Sequence, residues 1–134
     1  MCGIFGLINK KPRKFDYTTF CTLGIQNDIR GGDSCGVFID GEVEYGVREN
    51  RYFESFFQDS PIINKTQECT IALGHCRKAS VGAISENTAQ PVCIRNDNGD
   101  VEFVVIHNGT IYNYKELAEK YIPNENITGL TDSQ

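Results

Sequence analysis

Gly36-Val37-Phe38-Ile39-Asp40-Gly41-Glu42-Val43-Glu44-Tyr45-Gly46-Val47 reads as a β-hairpin. Asp-Gly suits a tight two-residue turn, whose backbone must enter the left-handed region, and Val43, Tyr45 and Val47 alternate with their neighbours at the period of a strand. Working outward, Cys93-Ile94 and Phe103-Val104-Val105-Ile106 flank Asn96-Asp97-Asn98-Gly99, which predicts a second hairpin. Its second strand is apolar enough to be covered on both faces and ends at His107-Asn108-Gly109. The apolar start of the chain, Met1 to Ile8, reads as a buried strand.

Helices are predicted between these strands. Tyr114, Leu117, Ala118, Tyr121 and Ile122 fall on one face at helical spacing, while Lys115, Glu116, Glu119 and Lys120 fall on the other. Asn113 with Glu116 suggests a capping box, and Pro123 ends the helix. A further helix is expected over Asp16 to Asn27, with Phe20, Leu23 and Gly24 inward, and a short helical turn over Phe53 to Phe57. Strands paired by hairpins with helices between them define a layered α+β domain, and the 134 residues show no repeat or linker that would divide it.

Composition narrows the function. The net charge is −5, from 13 Lys and Arg against 18 Asp and Glu, with no basic tail or stripe, so neither nucleic acid nor an anionic membrane is an expected partner. The basic run Lys10, Lys11, Arg13 and Lys14 follows the apolar N-terminus, the reverse of a secretory signal, and the expected location is cytoplasmic. Asn-x-Ser/Thr sequons at Asn64, Asn108 and Asn126 carry no meaning without secretion. Six cysteines, Cys2, Cys21, Cys35, Cys69, Cys76 and Cys93, include no C-x-x-C. All but Cys2 are read as small buried hydrophobes, since a zinc site on Cys69, His75 and Cys76 would lack any recognised ligand spacing.

Cys2-Gly3-Ile4-Phe5-Gly6 carries the chemistry. Removal of Met1 leaves a thiol and a free α-amine on one residue. An α-amine has a pKa of about 7.7 to 8.0, low enough to be partly unprotonated near neutrality and to take the thiol proton. Taken alone, a cysteine at position 2 is more often an accident of buried sequence than a nucleophile. The same holds for its companions: Gly31-Gly32 as a turn, Arg77 as a surface charge, His75 and His107 as packed imidazoles, and Asn108-Gly109 as a strand-ending turn.

Together, in this order, Met1-Cys2-Gly3-Ile4, Arg30-Gly31-Gly32-Asp33-Ser34-Cys35-Gly36, Gly74-His75-Cys76-Arg77-Lys78-Ala79-Ser80-Val81-Gly82, Asn87 with Ala89-Gln90-Pro91, His107-Asn108-Gly109 and Thr131-Asp132-Ser133 resemble the class II glutamine amidotransferases, which are N-terminal nucleophile hydrolases. The resemblance spans residues 1–134. It implies a four-layer αββα sandwich and a glutaminase reaction without metal or organic cofactor, in which Cys2 attacks the glutamine carboxamide and becomes a thioester. By the same resemblance Asn108, through its side-chain amide, and Gly109, through its N–H, hold the oxyanion. Arg77 and Ser80 take the substrate α-carboxylate, Asp132 takes the α-ammonium, and Arg30 shapes the site around the nucleophile. His75 is expected to support packing rather than to carry protons.

Two departures accompany the resemblance. Lys78 stands where relatives carry a large aromatic or aliphatic residue, which alters the wall of the glutamine pocket. The chain stops at Thr131-Asp132-Ser133-Gln134 where family domains continue, so a domain truncated at its C-terminus is expected, with the ammonia-accepting domain or subunit elsewhere. The runs at Arg30 to Gly36 and Gly74 to Gly82 look most like sugar-phosphate amidotransferases, whereas Asn108 to Tyr114 leans toward asparagine synthetase. Rival readings are a non-catalytic glutamine-sensing module and a stand-alone N-terminal nucleophile amidohydrolase acting on another amide. Oligomeric state is not legible.

Overall fold

Asp40 (φ +43°) and Gly41 (φ +105°) form the tight turn that their residue types predict. They join β2 (Ser34–Ile39) to β3 (Glu42–Val47) in a computed structural model that describes residues 1–47, 53–79, 84–123 and 131–133. The remaining elements are β1 (Gly3–Lys14), α1 (Tyr17–Asp28), α2 (Phe53–Asp59), α3 (Pro61–Lys65), β4 (Glu68–Arg77), β5 (Val92–Arg95), β6 (Val101–Val105) and α4 (Tyr114–Tyr121). Antiparallel pairing gives one sheet in the order β1-β4-β2-β3 and a second made of β5 and β6. The fold is α+β with antiparallel sheets.

Helices α1, α2 and α3 accompany the first sheet. Asp16 caps α1 by accepting a hydrogen bond from Thr19 N at 2.9 Å. Phe20, Gly24 and Asp28, one turn apart, form its buried stripe. Phe5 of β1 meets Phe20 and Phe53 at 5.1 Å between ring centroids, the second pair edge to face, and Phe57 completes the cluster. Each fully buried phenylalanine contributes about 1.5–3 kcal/mol. Two glycines admit these rings: a Cβ on Gly24 would lie 2.0 Å from the Phe53 ring, and one on Gly74 would lie 2.1 Å from Phe5.

The segment around β5 lies against the other face of the first sheet. Tyr45 Oη donates to Pro91 O at 2.7 Å, and a Cβ on Gly36 would lie 2.3 Å from Gln90 O. β2 is therefore buried along its whole length. The register aligns Gly3 and Cys35 with Cys76, and Ser34 with Arg77, so the start of β1, the start of β2 and the end of β4 share one end of the sheet.

Several expectations need correcting. β1 is a half-buried edge strand: Gly3 and Phe5 point inward, whereas Ile4 and Ile8 are exposed and the basic run Lys10 to Lys14 continues the strand. β6 is not covered on both faces, because among the described residues it pairs only with β5, and Phe103 is 62% exposed. The helix after it forms as predicted, but none of its apolar face is buried. Its capping box does not form: Asn113 sits at φ −100°, ψ 25°, outside the extended region from which a capping side chain reaches back to the helix. No helix of the described residues is long and apolar enough to cross a membrane.

Candidate active site

The shared end of the first sheet gathers most of the residues singled out in the sequence. Gly3 opens β1 against the end of α1, where a Cβ would lie 2.4 Å from Asn27 O. The close approach requires glycine and places Cys2 level with the end of β4. There the Cys2 Sγ accepts from Lys78 N at 3.4 Å and lies 3.6 Å from Lys78 O, while Cys2 N donates to Asn108 Oδ1 at 3.0 Å. Residues 2, 78 and 108 thus meet at one point. With Met1 attached, Cys2 N is a peptide nitrogen, standing in for the α-amine that processing would leave. Met1 is 81% exposed, and its Sδ lies 3.5 Å from Arg30 Nη2, so Arg30 borders the site at the N-terminal side.

Arg77 ends β4 and is only 5% exposed. Its carbonyl accepts from Asp33 N at 3.0 Å, and the Asp33 carboxylate accepts from Ala79 N at 2.8 Å and from Lys78 Nζ at 3.1 Å. Partial burial would raise the Asp33 pKa, but the Ala79 and Lys78 hydrogen bonds and the charges of Lys78 and Arg77 together hold it below the usual carboxylate value. Asp33 thereby fixes the segment whose N–H faces the Cys2 thiol. Lys78, at the departure noted in the sequence, turns its ammonium to Asp33.

Asn108 and Gly109 follow β6 on a loop held from two sides. His75 Nε2 lies 3.2 Å from His107 O, and His107 N donates to Gln90 Oε1 at 2.6 Å. A Cβ on Gly109 would lie 2.6 Å from His107 Nε2, so the ring packs directly on this glycine. Asp132 Oδ2 accepts from Ile111 N at 2.7 Å, which draws the turn at 131–133 onto the same loop. Ser80 lies outside the described residues.

Burial lowers the His75 pKa to about 4, with the Arg77 and His107 charges acting in the same direction against the hydrogen bond to His107 O. The ring is therefore neutral at neutral pH, which suits packing better than proton transfer. Cys76 turns away from His75, its thiol donating to Gly24 O on α1 at 3.7 Å, so the two residues do not face a common metal position. Burial beside Asp28 pushes that thiol pKa up, the opposite of activation. Among the described residues no three His, Cys, Asp or Glu side chains form a metal-binding cluster. The supporting side chains that sequence reading left without a role are Asp33, Gln90 and Ser133. Each stands within a quoted motif, yet its contacts lie tens of residues away.

Fold and site together define an antiparallel α+β domain built around an N-terminal-proximal cysteine thiol. Residues 59–134 match the family described as the glutamine amidotransferase domain, and the chain belongs to that family, in its class II branch. It is similar to glutamine–fructose-6-phosphate aminotransferase [isomerizing] of Streptococcus agalactiae, 30% identical over 138 residues that take in the whole chain and 21% of the relative. It is also similar to glutamine–fructose-6-phosphate aminotransferase [isomerizing] 2 of Homo sapiens, 37% identical over 135 residues, 89% of this chain and 19% of the relative. The chain spans about a fifth of the length of these curated relatives.

Proposed function

We propose that this chain hydrolyses the side-chain amide of glutamine to glutamate and ammonia through a Cys2 thioester, and that the ammonia passes to an acceptor site outside residues 1–134. The meeting of Cys2 with Asn108 and the segment after Arg77 carries the reading. Once Met1 is removed, the α-amine takes the thiol proton, with one of its own N–H groups on Asn108 Oδ1. The thiolate attacks the carboxamide carbon. Asn108 Nδ2 and Gly109 N–H stabilise the oxyanion, a role worth about 3–4 kcal/mol per donor in such sites. Collapse of the tetrahedral adduct returns the proton to the departing nitrogen, releases ammonia and leaves the thioester. Water deprotonated by the same amine then yields glutamate and the free thiol.

Arg77 is assigned the α-carboxylate, a planar pairing suited to a guanidinium, together with Ser80; Asp132 is assigned the α-ammonium, and Arg30 the wall beside the N-terminus. The names of the relatives favour a sugar phosphate as the eventual ammonia acceptor. Helices on one face of the first sheet and the hairpin segment on the other support an αββα N-terminal nucleophile fold. The expected location is the cytoplasm. Replacing Cys2 with Ala tests the reading. Glutamate and ammonia release should disappear while glutamine still binds, and turnover near the unmodified level would sink the mechanism.

A further inference from the structure

Gln90 is 5% exposed and uses both ends of its side-chain amide. Oε1 accepts from His107 N at 2.6 Å, and Nε2 donates to Ser133 Oγ at 3.1 Å. The polarity of this arrangement is set by the main-chain N–H, which needs an acceptor and so selects the amide oxygen. The opposite end can only donate, so Ser133 Oγ accepts there, and the same hydroxyl lies 3.0 Å from His107 Nδ1, within hydrogen-bond reach. Three side chains from three segments close a ring: one before β5, one after β6 and one in the turn at 131–133.

The neighbours of this ring give it a role. His107 directly precedes Asn108 and Gly109, and Ser133 directly follows Asp132. We infer that Gln90 is a positioning residue for glutamine turnover: it locks the oxyanion loop to the turn bearing Asp132, setting the distance between the group that meets the reacting carboxamide and the group that meets the substrate ammonium. The inference rests on the roles proposed above for Asn108, Gly109 and Asp132. Glutamate at position 90 would keep the shape and the acceptor for His107 N but lose the donor to Ser133. An apolar residue would lose both.

The test uses the full-length protein with Met1 removed and compares Gln90→Glu, Ser133→Ala, their combination, and Ser133→Thr, which keeps the hydroxyl. The readouts are kcat and KM for glutamine taken separately, and the rate at which iodoacetamide alkylates Cys2. Gln90→Glu and Ser133→Ala should each lower kcat, raise KM and cut kcat/KM by about tenfold or more. The double variant should be no worse than the weaker single, as for two members of one ring. Ser133→Thr should stay near the unmodified protein, and alkylation should change less than about twofold throughout, since the nucleophile itself is untouched. Normal kcat and KM in Ser133→Ala overturns the inference even if Gln90→Glu fails to fold, and losses that multiply in the double variant overturn it as well. An unmodified protein that releases no ammonia sinks the glutaminase reading and this inference with it; an active one indifferent to Ser133→Ala sinks the inference alone.

Discussion

Lowering the pH from about 6.5 to about 4 should remove stability through a single buried imidazole. His75 is fully buried between the two sheets, and its Nε2 faces His107 O at 3.2 Å, so Nε2 carries the proton and Nδ1 is the bare nitrogen. Among the described residues Nδ1 has no hydrogen-bond partner, so protonation would create a buried cation with an unpaired donor. Burial lowers the folded-state pKa to about 4 against an ordinary 6.5. Between these values the unfolded chain binds a proton that the folded chain refuses, so stability is complete above 6.5 and falls as the pH descends toward 4. One proton corresponds to about 1.4 kcal/mol per pH unit, and the window amounts to about 3 kcal/mol, a large part of the net stability of a small domain. Urea unfolding midpoints measured across pH 4 to 7 should trace this fall, and a His75→Gln variant should flatten it. Because that variant could lose the fold, the imidazole proton resonances of the unmodified protein give an independent readout, with one histidine showing no titration near 6.5. A His75 resonance with its midpoint near 6.5 would show that the buried imidazole is not the source of the acid loss of stability.

Arg77→Lys should raise KM for glutamine about 10- to 100-fold with the charge retained, since one ammonium cannot reproduce two parallel guanidinium bonds; steady-state ammonia release measures it. Gly3→Ala should destabilise the chain by about 1–3 kcal/mol in urea unfolding and slow turnover, because the added methyl would lie 2.4 Å from the Asn27 carbonyl and push Cys2 out of register. Asp33→Asn should cost about 1 kcal/mol and lower kcat/KM, through the weaker hydrogen bond to Ala79 N; the ion pair adds little because Lys78 is 57% exposed there. The Asp33 carboxylate stabilises the fold above its unfolded pKa, near 3.8, and loses that contribution as the pH falls through its lower folded value, so the variant should unfold with a shallower acid limb.

The local elements were legible where short-range chemistry decides them. Asp40-Gly41 turned as its residues require, the helix expected over Asp16 to Asn27 formed at Tyr17–Asp28, and Pro123 followed the end of α4. β4 was not anticipated as a strand, although it is one of the two inner strands of the first sheet and joins β1 to β2. Glu68 to Arg77 carries Gly74, His75 and Cys76 instead of an alternating β-branched run, and its pairing is non-local, to β1 and β2. The burial expected for β6 and α4 depends on what packs against them, which local periodicity cannot specify. The site was legible only through the order of its motifs. No spacing rule brings Cys2 to Asn108, 106 residues away, and the supporting contacts of Asp33 to Ala79 and of Gln90 to His107 span 46 and 17 residues.

In the proposed reaction the base and the nucleophile belong to one residue. In the chain as described, Cys2 N is a peptide nitrogen that donates to Asn108 and cannot accept a thiol proton, while Met1 occupies the side of the site bordered by Arg30. Intact-mass measurement on separated species with and without Met1, each assayed for ammonia release from glutamine, tests this directly. The species that begins at Cys2 should be active and the species that keeps Met1 should show at most about a hundredth of that activity, with both equally folded. Equal activity in a homogeneous Met1-retaining sample would contradict it and leave the thiol dependent on some other base.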